Sequence, residues 1–145
     1  MSNSNEGEQK PNVRKRVLFV DDEPMVVKVV ESRLRSAGFE VITARNGKEG
    51  IAKAETQAPD IIVLDSMMPE MNGQETCARL KANEKTKRIP VVVFTCNLAN
   101  ELQNEFIAAG ALGIIYKPDV KLLTSLLKDV LAGKKIEWGS EDGRW

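Results

Sequence analysis

Four apolar runs of this chain end on polar residues that could do chemistry together: RVLFV on Asp21 and Asp22, IIVL on Asp65, VVVF on Thr95 and GIIY on Lys117. An Asp is rarely buried without a partner, and an isolated buried carboxylate is very costly. Brought to one place, three carboxylates repel by about 4 kcal/mol per pair at about 4 Å in an effective dielectric of roughly 20, so their assembly calls for a cation. An all-oxygen donor set completed by water suits magnesium (Mg2+), which takes one or two carboxylates together with water and phosphate oxygens. Lys117 adds a mobile positive charge and Thr95 a hydroxyl donor. So equipped, Asp65 can take a phosphoryl group as an acyl phosphate while cation and lysine neutralise the transferring oxygens.

The rest of the composition narrows the alternatives. The chain has no histidine, which removes Ser-His-Asp and Cys-His catalysis, HExxH zinc chemistry and any phosphohistidine of its own. Lys plus Arg (21) equals Asp plus Glu (21), so no basic excess points to nucleic acid or an anionic membrane surface. Cys77 and Cys96 are far apart with no CxxC spacing and read as reduced, packed thiols. No apolar run is long enough to cross a bilayer and the N-terminus lacks a signal-peptide core, so a cytoplasmic protein is expected.

The elements that must carry these residues alternate along the chain. Residues 1–14 are polar with little to bury and read as a disordered arm. From Arg16–Val20 onward, short apolar runs alternate with amphipathic stretches: MVVKVVESRLRSA, closed by Gly38, Glu40–Thr43, NGKEGIAKAETQ, DIIVLD, GQETCARLKAN, Pro90–Thr95, LANELQNEFIAAG, Leu112–Tyr116 and DVKLLTSLLKDVLAG. Strands apolar on both faces and joined by helices predict an α/β domain over residues 15–133, a doubly wound five-stranded parallel sheet of order 2-1-3-4-5. Residues 134–145 form a C-terminal tail, and Trp138 and Trp145 within it receive no role.

In such a sheet every strand delivers its last residue to one edge, where ligands bind at the switch point between strands one and three. Separately, Asp21 and Asp22 could be helix caps, Asp65 a turn residue, Thr95 an ordinary strand residue and Lys117 an ordinary loop residue. Their joint arrival at one edge favours a functional site.

These residues also carry a family resemblance. VDDEP, VLDSMMPEMNG, VVFT and YKP, in this order and spacing over roughly residues 16–132, resemble the receiver domain of two-component response regulators, a flavodoxin-like fold. The resemblance implies that Asp65 accepts a phosphoryl group from a phosphohistidine on a histidine kinase or phosphotransfer protein. It implies magnesium bound by the side chains of Asp22 and Asp65 and the backbone carbonyl of Met67, with Asp21 acting largely through water. Lys117 would pair with the carboxylate and then with the phosphoryl oxygens, Thr95 would swing towards them, and the Lys117–Pro118 bond would be cis. Met67 and Asn97 would flank the path of attacking water.

One position departs from the family pattern: Ile114 stands where many receivers carry Tyr or Phe, so Thr95 and local packing are expected to switch the output surface of helix four, strand five and helix five. That surface is also a candidate dimer interface, and the downstream protein target is unknown. The activity implied is magnesium-dependent self-phosphorylation and slow autodephosphorylation of a signalling switch, not metabolic catalysis. The chain stops shortly after its last helix and reads as a stand-alone receiver or a fragment of a longer one. The competing reading is a phosphorylation-independent scaffold. A haloacid-dehalogenase-like phosphatase is disfavoured because SMMP follows Asp65 without a second aspartate, and flavin binding because DDEP would repel a phosphate.

Overall fold

A computed structural model describes residues 14–96, 100–117 and 119–136, with backbone alone for residues 100–102. The elements are β1 (Arg16–Val20), α1 (Pro24–Ser36), β2 (Glu40–Ala44), α2 (Gly47–Gln57), β3 (Ile61–Leu64), α3 (Gly73–Ala82), β4 (Val91–Thr95), α4 (Asn100–Ala108), β5 (Gly113–Tyr116) and α5 (Val120–Leu131). All strand pairs are parallel and the sheet order is β2-β1-β3-β4-β5, as the alternating pattern predicts. The polar arm at 1–14, the Lys117–Pro118 bond, Asn97, Trp138 and Trp145 lie wholly or partly outside the described residues, the arm in all but Arg14.

The sheet is buried on both faces because successive strand residues point opposite ways. Val17 and Phe19 of β1 pack with Val30 and Leu34 of α1 and Leu123, Leu126 and Leu127 of α5. Leu18 and Val20 face the other way, towards Ala54 of α2, Cys77 and Leu80 of α3 and Phe106 of α4. The i, i+3, i+4 spacing of Leu123, Leu126 and Leu127 is what seats α5 on its layer. Burying each such leucine contributes about 2 kcal/mol.

Helix starts differ from expectation at α1. Neither Asp21 nor Asp22 occupies the N-cap, which is Glu23, and no side chain caps the helix. Asp21 instead turns its Oδ1 back to accept the Glu23 N–H at 2.9 Å, and Pro24 removes one donor that would otherwise lack a partner. The N-caps of α2, α3 and α5 are Asn46, Asn72 and Asp119, each accepting a backbone N–H of the first turn. At α2, Glu49 reaches back to the Arg45 N–H at 2.8 Å. That backbone hydrogen bond is the main reason the Glu49 carboxyl titrates below its ordinary range. β4 begins at Val91 rather than Pro90, which has no N–H to give, although the Pro90 carbonyl accepts from Ile62.

Candidate functional site

Asp21, Asp65 and Lys117 each sit one step past a strand, anchored by the main chain. Asp21 N–H donates to the Ala44 carbonyl (3.0 Å), Asp65 N–H to Val20 (2.9 Å) and Lys117 N–H to Thr95 (2.8 Å). Each is the continuation of a parallel ladder, so strand register alone delivers the three side chains to the carboxyl edge. One carboxylate oxygen from each of Asp21, Asp22 and Asp65 lies within 4.8 Å of the others.

Lys117 bridges this cluster. Its Nζ is 2.6 Å from Asp21 Oδ2 and 3.3 Å from Asp65 Oδ1, with the ammonium 5.8 Å from the centre of the Phe94 ring. Asp21 is fully buried and both its oxygens are engaged, one by Lys117 and one by the Glu23 N–H. Asp65 and Lys117 are each nine-tenths buried, whereas Asp22 is exposed. The site is thus graded from a dry floor at Asp21 to an open rim at Asp22.

The protonation equilibria follow from that grading. Burial pushes the Asp65 carboxyl up; Lys117 pulls it down and the Asp21 charge pushes it up again, leaving it above the ordinary carboxylate value. Burial works against a charged Lys117, but the hydrogen bond to Asp21 and the charges of Asp65 and Asp21 outweigh it, so the ammonium is held more firmly than usual. The two partners differ because Lys117 is closer to Asp21 than to Asp65, and Asp65 also faces a like charge.

Thr95 is buried, and its Oγ1 lies 2.5 Å from the hydroxyl of Ser66. Met67 is exposed on a groove it shares with Asp22, Met68, Pro69 and Asn72, next to the carboxylates. Ile114 is fully buried in the layer of α2, α3 and α4, while Tyr116, two residues on and paired in register with Thr95, is exposed.

Three contributors escape a reading of strand ends. Ser66 is a hydroxyl directly after Asp65 in an otherwise apolar SMMP loop, and that contrast was its signal. Phe94 lies beneath the Lys117 ammonium, on the face opposite Val93. Gly73 admits no side chain, since a Cβ there would overlap the Asp65 carbonyl oxygen and lie 2.9 Å from the Ser66 Cα.

An all-oxygen cluster lies at the carboxyl edge of a doubly wound sheet, bridged by a buried lysine, a donor set of the kind that suits a hard cation. Sequence comparison gives the lineage. A profile of the response regulator receiver domain matches residues 17–128. The chain is 40% identical over 83 residues to the Bacillus subtilis alkaline phosphatase synthesis transcriptional regulatory protein PhoP, covering 57% of this chain and 34% of that one. It is 38% identical over 103 residues to the Caulobacter vibrioides response regulator PleD, covering 71% of this chain and 23% of that one. It therefore spans about a third or less of these relatives' lengths.

Among solved structures, the Vibrio cholerae chemotaxis protein CheY4 superposes with a TM-score of 0.77 at 34% identity, covering 81% of this chain and 99% of that one. The receiver domain of the Pseudomonas aeruginosa sensor histidine kinase PA1611, described with magnesium coordinated in its active site cleft, gives 0.76 at 26% identity, covering 83% of this chain and 99% of that one. The chain belongs to the response regulator receiver domain family, whose members accept a phosphoryl group and switch signalling.

Proposed function

We propose that Asp65 is the phosphoryl acceptor of this receiver, with Lys117 and Thr95 as the groups that meet the incoming phosphoryl oxygens. The carrying observation is the convergence of three carboxylates within 4.8 Å around a lysine that touches two of them. An Asp65 oxygen attacks phosphorus, a P–O bond forms as the P–N bond of the donor's phosphohistidine breaks, and the electron pair leaves with the imidazole. Lys117 is already within reach of Asp65 and can follow the charge onto the phosphoryl group. Asp21 keeps the ammonium in place throughout.

The carboxylates fit magnesium: the donors are all oxygen, and the exposure of Asp22 leaves room for water. Asp22, Asp65 and the Met67 carbonyl would hold the ion, with Asp21 behind them, and bound there it would neutralise the phosphoryl oxygens during transfer. The donor is a histidine kinase or histidine phosphotransfer protein, and the recipient of the signal is a protein that reads α4, β5 and α5, where Thr95 and Ile114 transmit the change. No described helix is long and apolar enough to span a membrane, and the cytoplasm is the proposed location.

The test is intact mass after incubation with acetyl phosphate. One added phosphate in wild type with magnesium, and none without magnesium or in Asp65→Ala, is the expected result. Addition that survives Asp65→Ala would move the acceptor elsewhere. No addition under any condition, with magnesium binding verified, would leave a phosphorylation-independent scaffold.

A further inference from the structure

Ser66 follows the proposed acceptor and is nearly fully buried, as is Thr95. Among the described residues the Ser66 hydroxyl makes one hydrogen bond, to Thr95 Oγ1 at 2.5 Å, across 29 positions of sequence. The Ser66 main chain cannot readily follow a moving partner. Its carbonyl accepts the Gly73 N–H at 3.1 Å, and Gly73 itself is packed against Asp65 and Ser66 without space for a Cβ.

A hydroxyl has one proton to donate, so Thr95 cannot donate to Ser66 and to a phosphoryl oxygen at once. When Thr95 moves towards a phosphoryl group on Asp65 its hydroxyl leaves Ser66, whose main chain is held by Gly73, and the nearly buried Ser66 hydroxyl gives up its hydrogen bond whichever of the two was the donor, which is the costly way to lose one. From this geometry we infer that Ser66 is a positioning residue for the switch. Its hydroxyl latches Thr95 in the unphosphorylated arrangement and sets how strongly phosphorylation must pull to release it. The inference rests on the phosphoryl-acceptor reading above and adds to it the residue that tunes the balance between the two states.

The experiment is isothermal titration of the protein with beryllium trifluoride, a phosphoryl mimic, in the presence of magnesium. Removing the latch lowers the cost of the released state, so Ser66→Ala should bind about three- to tenfold more tightly than wild type. Ser66→Thr, which keeps the hydroxyl, should stay within about twofold of wild type. In a Thr95→Ala background the Ser66→Ala change should have no effect, because the latched group is gone.

Unchanged or weaker binding by Ser66→Ala overturns the inference, and so does an equal gain in the Thr95→Ala background, which would mark a general packing effect. Should the alanine variant not fold, Ser66→Cys, of similar shape with a weak donor, is read in its place and held to the same outcomes. A wild type that binds no mimic and takes no phosphate defeats the acceptor reading and the inference together. A wild type that binds while Ser66→Ala is indistinguishable from it defeats the inference alone.

Discussion

Asp65 and Lys117 form an ion pair whose members are unequally content. A carboxyl whose pKa is raised in the folded state contributes its full stability below its unfolded value, about 3.9, and loses it as pH climbs through the folded pKa. At neutral pH the ionised Asp65 is therefore a net cost to the fold. Asp65→Asn should unfold at a higher temperature than wild type at pH 7 in chelator. The advantage should shrink as pH falls and vanish below about pH 4, where both side chains are neutral. Calorimetry at pH 7 and 3.5 checks this, and a variant less stable than wild type at pH 7 would show that the Lys117 contact outweighs burial.

All three carboxylates, Thr95 and Lys117 were legible at this scale, because each stands at a strand end and the parallel topology sends strand ends to one edge. Less legible was which carboxylate Lys117 touches most closely. The two choices differ by a fraction of an ångström on a flexible four-carbon stem, and only the burial of Asp21 decides it.

The elements fix the loop of Asp65 and Ser66 through one glycine. Gly73 opens α3 directly beneath the Asp65 carbonyl, and its own N–H holds the Ser66 carbonyl. Gly73→Ala must push the end of β3 away from the helix, at a cost of about 1–3 kcal/mol. Denaturant unfolding should register that loss, and phosphorylation by acetyl phosphate should slow because Asp65 is displaced. Unchanged stability and rate would mean that the loop has slack enough to absorb a methyl group. Strand and helix order was plain from alternating periodicity, but limits such as Val91 for Pro90 and Glu23 as the α1 N-cap depend on single hydrogen-bonding groups, which periodicity does not see.

At the scale of the whole molecule, two apolar layers enclose the sheet and the two thiols report on them differently. Cys77 is fully buried in the layer of α2, α3 and α4, where burial pushes its thiol up to about 11. Cys96, expected from sequence to be packed, is instead exposed beyond β4. A thiol reagent should modify Cys96 rapidly and Cys77 roughly a thousandfold more slowly or less, since Cys77 reacts only on opening of the core. Mass spectrometry over a time course distinguishes the sites, and comparable rates would mean that this layer opens readily. The layered core was legible because every strand is apolar on both faces, whereas Ser66 was hidden by a pairing partner 29 residues away.

The amides of Asp21, Asp65 and Lys117 are each tied to the carbonyl of a neighbouring strand end. Their positions are therefore written largely in the main chain, and Gly73 at the start of α3 is a helix position that must stay small to leave Asp65 in place. Helix exteriors can be rewritten to suit new correspondents while the reactive groups stay where the ladder puts them, so that one chemical engine can be wired into many circuits.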